Sequence, residues 1–298
     1  MKTIKQRISY AVIGLMAMGF TACTQNEDMA PTLKGQEINA TFSVGGMQTR
    51  VNTLGDVNNW EDKDKLKVRI FTNCDPGTMP ILTFNGETWS HNSSFRWLDK
   101  SERHTILAVY PSDMDFGKEN LQYDLQTDQS SEGNLKNADL ITGYWHDIPR
   151  SYYVNIPMKH RMSLVTIVYH VGTADYPDMD ISEPQVYSKN NSVRFFSDQD
   201  QGQLVMGTPS GNPDWVKACK HDDDMFSAIV IPGSYKAGEI FVKFKIGDQN
   251  FHAKMMSDTE FQEGHRYTYK LDVGKDKVEL TRISIDNMTG WTNEDELK

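Results

Sequence analysis

The segment Tyr267-Thr268-Tyr269-Lys270-Leu271-Asp272-Val273 alternates two kinds of side chain along its whole length. Aromatic and aliphatic residues occupy one set of positions, and Thr, Lys and Asp occupy the other. A period of two places the first set on one face of a β-strand and the second on the opposite face. Gly274-Lys275-Asp276-Lys277 has the composition of a turn, and residues 278–285 resume a strand pattern. This stretch predicts an antiparallel hairpin with one buried face.

Strand-like segments recur from residue 37 onward, and we find no helical period of 11 residues after the first 22. The polar residues 129–137 are interpreted as a loop. Asn85-Gly86 predicts a hairpin with a type I′ turn, because both residues readily adopt positive φ. The other predicted strands are 38–44, 66–71, 81–84, 87–89, 95–97, 105–110, 121–125, 138–145, 152–158, 163–171, 185–187, 193–196, 204–206, 228–231, 240–246 and 251–255.

Two apolar runs stand out because each is continuous and ends at a proline. Residues 105–110 precede Pro111, and residues 228–231 precede Pro232. A run without alternation predicts a strand buried on both faces, and proline cannot continue a central ladder. Two such blocks among alternating strands suggest two similar β domains in tandem.

The chain of 298 residues is long enough for two domains. Many short strands at this spacing favour β-sandwiches, which we place at residues 37–158 and 159–298. A single large β-barrel is the alternative architecture. Its lipid-facing form would need longer strands with apolar outer faces.

Residues 1–22 have the pattern of an export signal, with a basic start, an apolar run and small residues at the end. The run is shorter than the about 20 residues that span a bilayer. A buried N-terminal helix is the alternative interpretation. Cys23 stands where a signal peptidase would cut and resembles a bacterial lipobox, which predicts lipid attachment at Cys23. Residues 23–36 then form a polar tether, whose acidic start resembles a surface-export signal.

The charge of the chain argues against nucleic acid as a partner. The formal net charge is −10. Without the first 22 residues, which carry Lys2, Lys5 and Arg7 and no acid, 28 basic and 41 acidic side chains give −13. Nucleic-acid binding needs clustered Lys and Arg. An acidic surface suits a soluble domain outside the cell.

The search for catalytic chemistry yields little. His104, or His146 with Asp147, could belong to a triad, but no serine lies in a Gly-x-Ser-x-Gly turn. We therefore predict no enzyme and no cofactor. We also predict no metal site, because the calcium-loop spacing is absent. The acidic loops are interpreted as solvated surface, namely His221-Asp222-Asp223-Asp224 and the pairs Asp178 with Asp180 and Asp198 with Asp200.

The remaining cysteines and the tryptophans each have two interpretations. Cys74 and Cys219 are expected to be unpaired thiols, with a disulfide between them as the alternative. Several tryptophans could stack on sugars, but packing in the core and at sheet edges is the favoured interpretation. Those tryptophans are Trp89, Trp97, Trp145 and Trp215.

Motifs spread along the chain resemble the fimbrillin-like (Mfa-like, FimA-like) lipoproteins of Bacteroidota, which build type V pili. They cover nearly the whole chain after the signal. They are Thr21-Ala22-Cys23, Thr49-Arg50, Trp60 with Asp64-Lys65-Leu66-Lys67-Val68, Ala108-Val109-Tyr110-Pro111, Ala138-Asp139-Leu140-Ile141, His160-Arg161-Met162-Ser163-Leu164-Val165, Ile229-Val230-Ile231-Pro232, Phe261-Gln262-Glu263-Gly264-His265-Arg266-Tyr267-Thr268-Tyr269, Ile283-Ser284-Ile285 and Gly290-Trp291.

The resemblance implies two tandem transthyretin-like Greek-key β-sandwiches and a fimbrial subunit on the cell outer membrane. It further implies that an arginine-directed protease cuts after Arg50 and removes strand 38–44 together with the lipid. A strand from another fimbrial subunit would then fill the groove by β-augmentation. An ordinary surface arginine is the alternative for Arg50.

The role within the pilus stays open between stalk, tip and anchor. Stalk subunits of the family carry a C-terminal donor extension, whereas here only the polar residues 292–298 follow Trp291. Residues 283–285 could still belong to a donor strand. The alternative function is a surface lipoprotein that binds host or dietary glycans through exposed aromatic side chains.

Overall fold

The structure, a computed structural model, describes residues 33–44, 60–118, 120–172, 180–221, 224–274 and 278–287. These residues belong to one compact unit, Leu33–Lys298. Within them the chain forms 21 strands and one short helix. The predicted all-β class is confirmed.

Nine strands and the helix precede residue 172. They are β1 (Asn39–Val44), β2 (Lys65–Phe71), β3 (Ile81–Phe84), β4 (Trp89–His91), β5 (His104–Tyr110), β6 (Asn120–Asp124), α1 (Glu132–Ala138), β7 (Ile141–Asp147), β8 (Tyr153–His160) and β9 (Ser163–Val171).

Twelve strands follow. They are β10 (Ile181–Ser188), β11 (Ser192–Asp198), β12 (Gln203–Met206), β13 (Asp214–Lys217), β14 (Cys219–His221), β15 (Met225–Val230), β16 (Gly233–Tyr235), β17 (Ile240–Ile246), β18 (Gln249–Lys254), β19 (Thr259–Phe261), β20 (His265–Val273) and β21 (Val278–Asn287).

The strands assemble into five sheets, of which the largest holds most of the first half of the chain. It has seven strands in the order β1-β8-β7-β5-β2-β3-β4. The second half forms a five-stranded sheet, β14-β15-β9-β20-β21, and a four-stranded sheet, β13-β10-β17-β18. Smaller sheets are β12-β11-β6 and β16-β19. The predicted C-terminal hairpin is confirmed, since β20 and β21 pair antiparallel from His265 opposite Asn287 to Val273 opposite Val278.

The buried core has two clusters of apolar side chains that meet at β5. The first cluster comprises Ile38, Phe42, Val44, Trp60, Leu66, Val68, Ile70, Leu82, Phe95, Trp97, Ile106, Ala108, Tyr110, Ile141, Val154, Ile156 and Met158. The second cluster comprises the buried apolar side chains of β9, β15, β17 and β20 with those packed on them, including Leu107 and Val109.

All seven residues of β5 are buried, as the continuous apolar run predicts. Alternate side chains of the strand enter different clusters, since Ile106 and Ala108 belong to the first and Leu107 and Val109 to the second. The predicted boundary between residues 158 and 159 stays a prediction.

Residues 129–137 are not simply a loop, because they contain most of α1. The hydroxyl of Ser131 accepts a hydrogen bond from the Asn134 backbone N–H at 3.2 Å and caps the helix. Leu135 and Ala138 are its buried residues. The prediction missed this element because Gly133 and Asn134 disfavour helix and two buried positions establish no period.

The turn after β3 also differs from the prediction. Phe84 pairs with Trp89, so four residues form the loop rather than two. Gly86 has a φ of 94°, but Asn85 is not among the residues with positive φ, as a type I′ turn would require. Instead, the Asn85 side-chain oxygen accepts hydrogen bonds from the backbone N–H groups of Glu87 at 3.0 Å and Thr88 at 2.7 Å. The side chain therefore organises a longer turn.

Candidate functional site

The candidate site is the edge strand β1 and the groove beside it. β1 pairs with β8 in parallel, from Asn39 opposite Tyr153 to Val44 opposite Met158. It is the last strand of its sheet, and no described strand lies on its outer side. A strand edge without a neighbour presents backbone donors and acceptors that can pair with another chain.

The side chains in the second half of β1 are buried even though its outer edge is open. Phe42 and Val44, together with Ile38 just before the strand, are each at most 3% exposed and belong to the first cluster. They are separated by even numbers of residues, which puts all three on one face of the extended chain. β1 therefore contributes core side chains to a sheet that it joins along one edge only.

The Trp60 side chain takes the place of part of a neighbouring strand. Its indole N–H donates a buried hydrogen bond of 2.7 Å to the carbonyl oxygen of Phe42. A turn fixes this tryptophan, since Asp64 accepts a hydrogen bond from the Glu61 backbone N–H at 2.8 Å. Lys136 of α1 then pairs with Asp64 at 2.8 Å and with Glu61 at 2.9 Å. The residues that follow Trp60 are thus fixed to one another and to α1.

Aromatic rings surround the Phe42 side chain. The rings of Phe42 and Trp89 lie 5.2 Å apart at an interplanar angle of 72°, and those of Trp60 and Trp89 lie 5.2 Å apart at 83°. Edge-to-face contacts of this kind add to the stabilisation from burial. The position of Phe42 is therefore shaped for an aromatic side chain.

The opposite face of β1 makes polar contacts with β8. Asn155 accepts hydrogen bonds through its side-chain oxygen from the hydroxyls of Thr41 at 3.0 Å and Ser43 at 3.1 Å. These two residues alternate with Phe42 and Val44. β1 is consequently held on both faces. Apolar contacts hold one face, and hydrogen bonds from its hydroxyl groups to Asn155 hold the other.

The residues before β1 pair with a second segment of the chain. The Gly35 N–H donates to the Trp97 carbonyl at 2.7 Å, and the Ile38 N–H donates to the Phe95 carbonyl at 3.1 Å. The predicted strand 95–97 forms only an isolated bridge, between Glu37 and Arg96. This pairing ends where β1 begins, and a groove opens along the outer edge of the strand.

The groove has a volume of about 930 Å³ and lies between β1 and the other end of the sheet. Phe42, Trp60, Phe84 and Trp89 supply its aromatic wall. Glu37 and His91 form a hydrogen-bonded pair at one side of it. The two edge strands of the sheet, β1 and β4, border the groove.

Neither modification site that the sequence predicts falls within the described residues. Both Cys23 and Arg50 lie outside them. Arg50 belongs to the segment that joins β1 to Trp60, so a cut there would separate β1 from the rest of the sheet.

The residues considered for a triad have structural roles. His104 is fully buried, and its Nε2 accepts hydrogen bonds from the backbone N–H groups of Leu98 at 3.0 Å and Asp99 at 3.2 Å. His146 is hydrogen bonded to the Thr105 hydroxyl at 2.9 Å. Cys74 and Cys219 are both free thiols.

No metal cluster and no membrane-spanning helix are present in the part of the chain that the structure describes. Within it, no three His, Cys, Asp or Glu side chains are grouped closely enough to hold a metal ion. The same residues include no helix that is long and apolar enough to cross a bilayer. Asp178, Asp222 and Asp223 lie outside these residues.

The tryptophans considered for sugar binding divide into two groups. Trp97 is 2% exposed and donates its indole N–H to the Ser151 carbonyl at 3.0 Å, so it is a core residue. Trp89, Trp145 and Trp215 are half-buried. Of these, Trp89 lines the groove beside β1 and Trp215 lies on the four-stranded sheet.

Comparisons with known proteins identify the family to which this all-β fold belongs. The sequence model of the fimbrillin-like family matches residues 49–287. The chain therefore belongs to the fimbrillin-like family. Members of this family are structural proteins rather than enzymes, which supports a place in a cell-surface fimbria among other fimbrial subunits. No curated protein sequence matches the chain.

Solved structures from Bacteroides share the fold. A candidate cell adhesion protein from Bacteroides uniformis superposes with a TM-score of 0.59 at 16% identity, covering 84% of this chain and 96% of that one. A second, from Bacteroides ovatus, gives 0.59 at 15% identity and covers 87% and 98%. A fimbrial protein from Bacteroides vulgatus gives 0.50 at 12% identity and covers 84% and 99%.

Proposed function

We propose that this protein is a fimbrial subunit that assembles by strand exchange at β1. In this proposal a protease cuts after Arg50, β1 leaves, and a strand from another subunit takes its place beside β8. The observation that carries the proposal is the combination at β1 of buried side chains with a single neighbouring strand. The departure of such a strand uncovers an apolar groove and a row of backbone groups, and both require a replacement.

The contacts of β1 define what the replacing strand must provide. It needs a backbone carbonyl for the Trp60 indole N–H and an aromatic side chain against Trp89. On the other face it needs hydroxyl groups that Asn155 can accept from. The expected motif is an extended segment in which Ser or Thr alternates with large apolar residues, as in Thr41-Phe42-Ser43-Val44.

The proposal also includes the route to the surface and the domain architecture. The chain is exported as a lipoprotein of the outer membrane, acylated at Cys23, and an anchor subunit keeps this lipid whereas a stalk or tip subunit loses it on cleavage. Two transthyretin-like sandwiches, residues 37–158 and 159–298, form the fold. The first apolar cluster supports the first sandwich, because it draws only on residues between Ile38 and Met158. The second cluster draws on both ranges, from Leu107 to Leu280.

Limited proteolysis of the purified chain tests the exchange. Cleavage after Arg50 should release a fragment that carries β1 once a synthetic peptide with the β1 sequence is added in excess. Trp60 fluorescence should change during release and recover when the peptide binds. The Arg50→Gln variant is the control and should stay intact. A cut chain that keeps its original β1 under these conditions, and stays monomeric in sizing, contradicts the stalk role.

Mass spectrometry of the membrane-bound form tests the anchor. The mature N-terminus should be an acylated Cys23, and Cys23→Ala should remain in the soluble fraction. A form on cells that begins at Val51 would indicate processing. Any other N-terminal residue in both fractions contradicts the lipoprotein assignment.

A further inference from the structure

The outer face of the four-stranded sheet carries a line of polar side chains that crosses all four strands. Gln185 of β10 lies opposite Lys217 of β13 on one side and opposite Lys243 of β17 on the other. Lys243 lies opposite His252 of β18. Because strands are about 4.8 Å apart, this row of Lys217, Gln185, Lys243 and His252 spans about 14 Å. We call it the cationic row.

Burial shows that the cationic row faces solvent. Its two lysines and His252 are exposed and Gln185 is half-buried. The adjacent residues Val186, Val216 and Val242 are fully buried on the opposite face. The four side chains of the row therefore lie together on the solvent-facing side of the sheet.

Aromatic side chains and a pocket flank the row. The Lys243 ammonium lies 3.9 Å from the centre of the Trp215 ring, and the Tyr187 ring lies 5.1 Å from the Trp215 ring. This cation–π contact limits the freedom of the lysine. On the other side, a pocket of about 350 Å³ is lined by Gln185, Lys243 and His252 of the row, together with Lys245 and Asn250.

The charges of this face leave a positive surplus on an acidic protein. Lys217 pairs with Asp128 at 3.2 Å, and Lys245 pairs with Glu183 at 2.7 Å. Both pairs are solvent-exposed and therefore weak. Lys243 forms no ion pair with a carboxylate of the described residues. Its charge is available to an anionic ligand.

The geometry points to a binding site for an acidic linear polysaccharide, one that carries carboxylate or sulfate groups on its sugars. Lys243 binds an acidic group, while Gln185 and Asn250 bind sugar hydroxyls, because amides donate and accept as hydroxyls do. The net charge of −10 disfavours a ligand with a phosphate on every residue. A polysaccharide with fewer charges per sugar is repelled less by this negative net charge. This adhesive role is independent of strand exchange at β1.

Binding of defined polysaccharides to the full chain tests the site. Calorimetry with keratan sulfate, which carries sulfate and no carboxylate, and with hyaluronate, which carries a carboxylate on alternate sugars and no sulfate, separates sulfate from carboxylate recognition, and dextran is the neutral comparison. At least one of the acidic polymers should bind, dextran should not, and affinity should fall between about 50 and about 200 mM salt. Binding of dextran with equal affinity would overturn the proposal. So would tighter binding of single-stranded DNA or of anionic lipid vesicles than of either acidic polymer.

Variants locate the site. Lys243→Gln should weaken binding by about tenfold, because it removes a charge-assisted hydrogen bond, and Lys243→Arg should retain most of the affinity. Lys270→Gln is the matched control, since Lys270 is an exposed lysine of β20 that pairs with Asp272. It should change affinity by no more than about twofold. Equal losses in the Lys243 and Lys270 variants, with unchanged thermal melting, would place binding elsewhere and refute the assignment.

Discussion

Two pairs of neighbouring strands are parallel among the described residues, and they differ in what flanks them. β20 is parallel to β9 and has β21 antiparallel on its other side. β1 is parallel to β8, and no described strand lies on its other side. Both strands bury apolar side chains, including Leu271 of β20 and Phe42 of β1. The two strands therefore differ in the number of strands that hydrogen bond to them, and they hardly differ in the burial of their side chains.

This difference determines what each strand can do. β20 cannot leave without separating β9 from β21, and so its loss would open the five-stranded sheet. Departure of β1 would leave β8 paired with β7. Side chains compensate for the missing neighbour at such edges. Trp60 does so for β1, and Gln129 does so for the end of β15 that extends beyond its pairing with β14.

The comparison predicts different consequences for truncating the two buried side chains. Leu271→Ala should lower the free energy of unfolding by about 4 kcal/mol, because it leaves a cavity in the second cluster. Phe42→Ala should mainly increase hydrogen exchange in β1 and leave β20 protected. Urea unfolding together with residue-level hydrogen exchange measures both effects. Equal loss of protection in β20 on Phe42→Ala would show that β1 opens only with the whole fold.

A second prediction concerns the side chain that pairs with β15 at Ile229, beyond the end of β14. The buried Gln129 side chain accepts from the Ile229 N–H at 2.7 Å and donates to the Ile229 carbonyl at 2.9 Å. Gln129→Leu should cost about 3 kcal/mol, because it leaves two buried backbone groups without partners. Chemical denaturation measures this, with Gln126→Leu as the control at a less buried position of the same loop. A loss no larger than the control would mean that water takes over both bonds.

The sequence predicts most of the strands, because the period of two is local. Residues 38–44 could be recognised as a strand, and the buried run at 105–110 as central. The neighbours of a strand depend on distant residues, so the parallel pairing of Asn39 with Tyr153 was not predictable. The bond from Trp60 to the Phe42 carbonyl was missed for the same reason. A tryptophan before a charged stretch of sequence does not indicate which carbonyl group will accept its hydrogen bond.

Removal of the Trp60 hydrogen bond should loosen β1 selectively. Trp60→Phe keeps an aromatic ring in the first cluster but leaves the Phe42 carbonyl without its donor, at a cost of about 2 kcal/mol. Exchange of β1 by added peptide in the chain cut at Arg50 should then become faster. Trp215→Phe is the control, because Trp215 lies on a different sheet. Equal exchange rates in the two variants would show that the Trp60 hydrogen bond does not hold β1 in place.

The smallest expected effect is a dependence of stability on pH. It concerns the segment around Trp97, which pairs with the residues just before β1. Because the buried His104 accepts two backbone hydrogen bonds at Nε2, its Nδ1 carries the proton and donates to the Glu102 carbonyl at 3.0 Å. Burial lowers the pKa of His104 below its usual 6.5. The unfolded chain therefore binds a proton more readily than the folded one below pH 6.5.

This contribution to stability is complete above pH 6.5 and is lost as the pH falls toward the lowered pKa of His104. The slope cannot exceed about 1.4 kcal/mol per pH unit for one proton. The loss should appear first around Trp97, which is in edge-to-face contact with His104 and pairs with Gln36 just before β1. His104→Gln should flatten the pH dependence of the melting temperature, and the exposed His252→Gln should not. If both variants keep the slope, another group causes it, such as a carboxyl group or His146, whose pKa burial also lowers. The pH dependence would then not be specific to the β1 edge.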